Sequence, residues 1–236
     1  MEQLKNNLGP FELFAAIIGG SPFVLAGILL YNPVKTLAEL VPLIQKSGSL
    51  PIALTILFLS YIIGSTVQDL GWRYFLSLCR LFKEDYFYYG DQLIKRNQLL
   101  QQPVSSDVSH LEFEDKLVLQ LREYIGIPNN LDWMNGRLTA YLRECKSPSV
   151  ATVERFIASH IMHRSLSLGC LVLCMVSIIN TVRLGSLASL AIVPILLYCA
   201  YLMFFQALSF QRWQNRELLL GFYFASTKEQ SQEGNR

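Results

Sequence analysis

Four long apolar runs dominate the pattern of hydrophobic and polar positions along this chain. They cover residues 11–31, 51–67, 165–182 and 184–210. Each is close to the ~20 residues that an α-helix needs to cross a bilayer core of about 30 Å. The pattern therefore predicts four transmembrane helices. The second is expected to extend to about residue 70, so that the polar residues at its end lie at membrane depth.

The segments between these runs show helical spacing of apolar residues rather than the alternation typical of β-strands. Between Arg73 and Pro103 the chain has no helix breaker except Gly90. Since a helix usually stops at or before a proline, we expect the second span to continue as one helix as far as Pro103. From Pro148 onwards nothing interrupts a helix until the third run is complete, so a second continuous helix is predicted there.

Local features add detail to two spans and to one connection. In the first run Pro22 follows a pair of glycines, and in the fourth run Pro194 removes another backbone donor. Both prolines predict kinked spans. Between the first two runs, residues 34–43 carry apolar side chains at helical spacing. That spacing favours a short helix lying on the outer surface of the membrane.

Together these patterns predict an all-α fold: a polytopic membrane protein with four transmembrane helices and a helical cytoplasmic module between the second and third spans. The expected parts are a first transmembrane hairpin in 1–71, the module in 72–164, a second hairpin in 165–210 and a cytoplasmic tail in 211–236. The composition agrees with this class, because 52% of the residues are hydrophobic and only 16% are charged. Soluble domains carry about 25% charged residues.

Lysine and arginine residues near the spans set the expected orientation, because cytoplasmic loops carry an excess of both. The positive residues on one side are Lys5, Arg73, Arg80, Lys83, Arg155, Arg164, Arg212, Arg216 and Lys228. Lys35, Lys46 and Arg183 lie on the other side. We therefore expect both termini in the cytoplasm and the chain in the cell's inner membrane. The net charge of +2 is too small to indicate nucleic acid binding.

Motifs for catalysis or metal binding are weak. His160 and His163 lie three residues apart on one predicted helix, but no Glu-x-x-His pattern accompanies them. With Arg155 and Arg164 nearby, a cationic group of side chains next to the membrane is the favoured interpretation. Five cysteines without paired spacing fit packed thiols in a reducing compartment. We predict no enzyme activity, no metal and no cofactor.

A polar stripe marks the end of the second run. Gly64, Ser65, Gln68 and Asp69 are spaced so that they share one face of a helix. Gln206 on the fourth run is expected at a similar depth. Polar groups at membrane depth usually face the bundle interior or a water-filled path. These five residues are the predicted polar stripe, which lines either a pore or a contact between helices.

A possible ligand surface follows the second run, where basic and aromatic side chains are interleaved. Its residues are Arg80, Lys83, Tyr86, Tyr89, Lys95 and Arg96. Basic and aromatic side chains together suit a nucleotide-like ligand, through phosphate contacts and stacking. The alternative is that the aromatics belong to the core of the module, and the usual behaviour of aromatic stripes on helices favours it.

The order of the parts, a pair of spans, a helical module and a second pair, resembles small four-span effector proteins of bacterial anti-phage defence. The resemblance includes the approaches to the first and third spans, "FELFAAIIGGSP" and "ERFIASHIMHRSLSL". It implies an oligomer that opens the membrane when a cytoplasmic signal reaches it.

Two functional hypotheses follow from these observations. The leading one is a non-enzymatic, oligomeric, channel-like membrane protein controlled by its cytoplasmic module, which would receive a signal ligand or a partner protein. The alternative is a membrane-anchored scaffold or assembly factor that binds a partner protein and has no pore.

Overall fold

The computed structural model describes residues 10–34, 39, 49–86, 90–100, 112–126, 133–185 and 187–233 of the chain. Within these residues the regular structure is helical and includes no strand, which confirms the predicted all-α fold. The helices are α1 (Pro10–Tyr31), α2 (Leu50–Thr66), α3 (Gln68–Phe82), α4 (Gly90–Leu100), α5 (Phe113–Tyr124), α6 (Met134–Glu144), α7 (Ser149–Leu184) and α8 (Val193–Glu233), with a 3₁₀ segment at Leu187–Ile192. The helix predicted at 34–43 falls mostly outside the described residues.

The helices form two compact units. The apolar unit comprises Met1–Glu84 and Ile157–Phe210, and the polar unit comprises Asp85–Phe156 and Gln211–Arg236. The long helices α7 and α8 each contribute residues to both units. The segment predicted as a cytoplasmic tail, 211–236, is helical as far as Glu233 and belongs to the polar unit.

Where α1 meets α2 in the apolar unit, small residues lie inside and large apolar residues lie outside. The buried positions of α1 include Ala16 and Gly20, and those of α2 are Ser60 and Gly64. Large side chains of α2 face outward, such as Phe58 with an exposed fraction of 63%. Water-soluble proteins show the reverse, whereas helices in lipid use small residues so that their backbones can approach. The unit is therefore compatible with insertion into a membrane.

Among the described residues, three helical segments are long and apolar enough to cross a membrane, namely Pro10–Tyr31, Ser149–Leu184 and Leu190–Lys228. The second apolar run does not form one straight helix. Its two helices, α2 and α3, meet at Val67 with a bend of 54° and make a fourth candidate span only if they are taken together. The expectation of one continuous helix through this region is wrong.

Two hydroxyl side chains lie directly before the bend at Val67. Ser65 Oγ donates to the Ile62 carbonyl at 2.8 Å, and Thr66 Oγ1 donates to the Ile63 carbonyl at 2.9 Å. Hydroxyl groups that bond to the preceding turn compete with the backbone ladder and bend helices. The two residues therefore favour a bend here, whereas Ser226 and Thr227 make similar bonds within the unbroken α8.

α3 also ends well before the predicted limit at Pro103. Lys83 has a φ of 56°, in the left-handed region. Its N–H donates to the Arg80 carbonyl at 3.3 Å, while the Glu84 N–H donates to the Cys79 carbonyl at 2.9 Å. This pair of bonds is the Schellman motif that ends many helices, usually with glycine in the left-handed position. Because lysine takes that position here, no glycine in the sequence marks the end.

α7 confirms the predicted uninterrupted helix through the third run, since it covers Ser149–Leu184. Gly185, with a φ of 62°, follows its last residue as glycine does after many helices. α8 begins only at Val193, later than the predicted start of the fourth span. Pro194 is therefore its second residue, where the missing N–H would have no partner in the helix. The predicted kink at Pro194 is wrong for that reason.

The polar unit is packed around an ordinary apolar core. Leu138, Leu142, Leu218 and Phe222 are completely buried. Tyr141 packs against Phe222 with ring centroids 5.0 Å apart. Its helices turn large apolar side chains inward, as amphipathic helices of water-soluble proteins do. The polar unit thus packs on large apolar side chains, unlike the contact between α1 and α2.

Candidate functional site around Arg164

Very close helix contacts hold α2 against α1 in the apolar unit. A Cβ atom on Gly20 would clash with the Ser60 carbonyl, and a Cβ atom on Gly64 would clash with the Ala16 carbonyl. The two backbones therefore touch, as they do in membrane helix pairs built on small residues. Gly64, one of the predicted stripe residues, lies in this helix contact.

α7 approaches α1 at two further positions. A Cβ atom on Gly19 would lie 2.8 Å from Ser165 Cβ, and a Cβ atom on Gly169 would lie 2.7 Å from Pro22 Cβ. Pro22 lies inside α1, and its ring occupies the space that Gly169 leaves open. The polar side chains of α7 are in this way brought next to α1 and the bent helix.

Arg164 of α7 lies against the bend. Its Nη2 donates to the Gln68 carbonyl, the first of α3, at 3.3 Å. Its Cζ lies 5.3 Å from the centroid of the Trp72 ring, one turn further along α3. That distance allows a cation–π contact. The guanidinium therefore binds the start of α3 through both a backbone carbonyl and an aromatic face.

His160 holds the other side of the same guanidinium. Arg164 Nη1 lies 3.2 Å from His160 Nε2, and His160 Nδ1 lies 2.9 Å from the Ala207 carbonyl of α8. Since a guanidinium only donates, Nε2 must accept, and since a carbonyl only accepts, Nδ1 must carry the hydrogen. The contacts therefore assign a neutral imidazole protonated on Nδ1. Its ring also packs edge-on against Phe75, with centroids 4.9 Å apart.

A pair of hydroxyl groups extends this polar layer along α7. Ser167 Oγ donates to the Ala200 carbonyl of α8 at 2.7 Å and lies 2.9 Å from the Tyr74 hydroxyl of α3. Because the serine hydrogen is used on the carbonyl, Tyr74 donates to Ser167. Hydrogen bonds from α7 thus reach both α3 and α8.

Two buried polar atoms of the layer, Arg164 Nε and Ser165 Oγ, have no hydrogen-bond partner among the described residues. Ser165 has an exposed fraction of only 1%. Buried polar atoms without partners are uncommon, and they occur where a structure stores strain or admits water. The contacts of Arg164 with the bend therefore form the centre of a polar site inside the apolar unit.

The bend divides the predicted polar stripe. It falls between Ser65 and Gln68, so the stripe residues do not form one continuous helix face. Ser65 is exposed and bonds within its own helix, and Gln68 offers its carbonyl to Arg164. Asp69 and Gln206 are exposed.

The sequence interpretation placed Arg164 among the cations next to the membrane and so missed its contact with the bend. His160 and Arg164 are four residues apart, which places both on one face of a helix. That four-residue spacing was the feature of the sequence that could have indicated a shared contact. The carbonyl partners on α3 and α8 carried no comparable signal, because every residue has a backbone carbonyl.

The two histidines of α7 face different partners. His163 Nδ1 lies 2.7 Å from the Ser159 carbonyl of its own helix, and its ring packs against Phe210 with centroids 5.0 Å apart. His160 instead bonds to α8. In the described part of the chain, no three His, Cys, Asp or Glu side chains are grouped so that they could hold a metal ion.

The possible ligand surface is divided between the units. Arg80 and Lys83 belong to the apolar unit, Tyr86, Lys95 and Arg96 belong to the polar unit, and Tyr89 lies outside the described residues. The Tyr86 carbonyl accepts a hydrogen bond from Asn215 Nδ2 at 3.2 Å.

Arg96 is already occupied by carboxylates. Its guanidinium contacts Glu112 at 3.1 Å, Asp115 at 2.9 Å and also Glu114. The hydrogen bond to Asp115 is the main reason that the pKa of Arg96 is raised above its ordinary value. With three anionic partners in place, Arg96 links α4 to α5, and a phosphate ligand would have to displace them.

Comparison with protein-family models, with curated proteins and with solved structures found no match to this chain.

Proposed function

We propose that this chain is a non-enzymatic integral membrane protein of the inner membrane, with four spans and both termini in the cytoplasm. In this proposal α2 and α3 together form the second span, and the polar unit is the cytoplasmic module. Several copies assemble into a channel-like effector that permeabilises the membrane when the module receives a signal ligand or a partner protein. The topological resemblance to anti-phage effectors supports such a role.

The observation that carries the proposal is the break at Val67 together with the arginine that binds beside it. Broken helices at membrane depth are tolerated where the backbone is buried in protein or lines a water-filled cavity. Cationic side chains at that depth usually mark a functional site. A break held by a few hydrogen bonds gives the span two discrete arrangements. Arg164, bonded to the Gln68 carbonyl, stabilises the resting one.

Assembly of several copies follows from the size of the apolar unit. Four helices are too few to enclose a wide path, so conduction requires more than one copy. The outward face of α2 offers a surface for this, since Leu54 and Phe58 have exposed fractions of 57% and 63%. In a membrane such a face contacts either lipid or another copy.

Control by the module is supported by the two long helices. α7 and α8 each carry residues of both units without interruption. Energetic coupling between sites is carried by rigid elements that have two arrangements. A change in the module would therefore act on Arg164 through the helix that carries it.

Reconstitution of the purified full-length protein into liposomes tests the proposal. The liposomes hold a trapped fluorescent dye, and release is measured against protein density. Asp69→Asn, next to the bend, is expected to reduce release several-fold, because it removes the exposed charge closest to the break. Glu123→Gln is the matched control, since it removes an exposed carboxylate of the polar unit.

The result that would overturn the channel proposal is the absence of dye and ion release at every oligomeric state. Light scattering of the detergent-solubilised protein would establish those states. That outcome would leave the alternative function, a membrane-anchored scaffold that binds a partner protein through its polar unit.

A further inference from the structure

The polar unit contains a cleft with a volume of about 240 Å³ between α4, α5 and α8. Three leucines form its floor, Leu93, Leu117 and Leu219, each with an exposed fraction of 5%. Phe113 lies at the edge with 44% exposed. A cavity of about 150 Å³ lined by apolar side chains can hold benzene. The cleft therefore has room for a small apolar body together with a short polar end.

Two side chains of opposite charge line the same cleft. Glu114 contacts Arg96, yet its side chain remains 47% exposed. Arg216 is exposed, and among the described residues its guanidinium has no hydrogen-bond or ion-pair partner. Arg96 is shared among three carboxylates, so Glu114 keeps the capacity to accept a further hydrogen bond.

We propose that this cleft binds a small zwitterionic molecule with an apolar or aromatic body. Its ammonium group donates to Glu114, its carboxylate receives the Arg216 guanidinium, and its body rests on the leucine floor beside Phe113. Most ligand sites share this composition, a largely apolar surface with a few polar groups that fix orientation. A guanidinium matches a carboxylate with two parallel hydrogen bonds.

The charges favour a zwitterion over an ion of one sign. A simple anion would meet Arg216 but would also approach the carboxylates gathered around Arg96. A simple cation would meet Glu114 but would leave Arg216 without a partner and close to a like charge. A ligand that carries both charges satisfies both side chains. The inference concerns binding alone and stands whether or not the apolar unit conducts ions.

Three fluorinated probes with one shared body test this proposal on the full-length protein in lipid nanodiscs. They are 4-fluorophenylalanine, which is zwitterionic, 4-fluorophenethylamine, which is cationic, and 3-(4-fluorophenyl)propionate, which is anionic. Fluorine NMR titration measures binding, with empty nanodiscs subtracted. We expect the zwitterion to bind about tenfold more tightly than either single-charge probe, the usual scale for one charge-assisted hydrogen bond.

Matched variants test whether binding depends on the cleft or on other residues of the polar unit. Glu114→Gln and Arg216→Gln should each weaken binding of the zwitterion about tenfold. Glu112→Gln is the control for the first, because it also removes a carboxylate from Arg96 but does not line the cleft. Arg137→Gln, an exposed arginine away from the cleft, is the control for the second.

Leu219→Trp should abolish binding by filling the floor, with circular dichroism to establish that the unit is still folded. Equal affinity for the three probes, preference for a single-charge probe, or no binding beyond that of empty nanodiscs would each overturn the proposal. Insensitivity of the zwitterion to both Glu114→Gln and Arg216→Gln would do the same.

Discussion

Arg164 and Arg96 show how differently the two units treat the same side chain. In the apolar unit Arg164 contacts a backbone carbonyl, a neutral imidazole and an aromatic face. In the polar unit Arg96 contacts three carboxylates, and its own side chain is 30% exposed. Exposed ion pairs of the second kind contribute only about 0–1 kcal/mol. The contacts of Arg164 instead fix the position of the Gln68 carbonyl, which accepts its hydrogen bond.

The difference extends to how each unit is packed. Close contacts in the apolar unit depend on residues without bulk, such as Gly20 and Gly64. The polar unit depends on large buried side chains, such as Leu142 and Phe222. Adding a methyl group should therefore be harmful at a glycine in such a close contact and harmless at a glycine with open space beside it.

The largest effect is expected from adding a methyl group to a glycine. Gly64→Ala should lower the free energy of unfolding by about 3 kcal/mol, because the methyl group meets the Ala16 backbone, which cannot rotate away. Gly136→Ala in α6 should raise it by about 0.5–1 kcal/mol, since nothing lies nearby and alanine favours the helix. Thermal unfolding in detergent, followed by tryptophan fluorescence, measures both.

Gly27→Ala is the control on α1, where a Cβ atom would meet nothing within 4 Å. It should change stability by less than about 1 kcal/mol. If Gly64→Ala were equally harmless, the close approach of α1 and α2 would be incorrect.

The next effect separates the two arginines directly. Arg164→Met should destabilise the protein by about 2 kcal/mol, because the side chain of His160 loses the donor that its Nε2 requires. Arg96→Met should cost about 1 kcal/mol or less, as expected for a partly exposed ion pair. Equal losses for the two variants would remove the contrast between the units.

The two histidines give a smaller contrast within one helix. His160→Phe preserves an aromatic ring, but the Ala207 carbonyl loses this donor and Arg164 Nη1 loses its acceptor. A decrease in the free energy of unfolding of about 1–2 kcal/mol is therefore expected. His163→Phe should cost less, because His163 bonds only within its own helix turn. Thermal unfolding of both variants under one set of conditions tests the order, and the reverse order would contradict the assignment of His160 to the polar layer.

The smallest effect concerns salt. Screening at 1 M salt reduces the Debye length to about 3 Å, which weakens pairs between exposed charges. The destabilisation caused by Arg96→Met should therefore fall towards zero between low salt and 1 M salt. Most of that caused by Arg164→Met should persist, because its hydrogen-bond partners are a carbonyl and a neutral ring, and salt should screen only its attraction to the exposed Asp69. If salt reduced the destabilisation by the same amount in both variants, the proposed difference between the two arginines would be contradicted.

The long helices could be predicted from the sequence because bilayer thickness translates directly into the length of an apolar run. The uninterrupted α7 followed in the same way from the absence of breakers after Pro148. The bend at Val67 and the end of α3 at Lys83 could not be predicted in this way. The hydroxyl residues before the bend also have counterparts within an unbroken helix, and the end of α3 places a lysine where glycine is usual.

The candidate site was only partly predictable, because its contacts are distant in sequence. Gln68 was identified as polar at membrane depth, but its partner Arg164 lies 96 positions away. Arg164 binds Gln68 through the backbone carbonyl, a group that every residue carries. Side-chain patterns therefore point to the region, whereas only the fold shows which helix meets it.

The most direct test of the central claim compares ion flux through Arg164→Met and Arg96→Met in liposomes of equal protein density. Measured below the unfolding temperature, release of the bend by Arg164→Met should raise basal flux about tenfold, a shift of about 1.4 kcal/mol between two arrangements. Arg96→Met should leave flux at the wild-type level. The account would be contradicted if the wild type and both variants showed no more flux than empty liposomes.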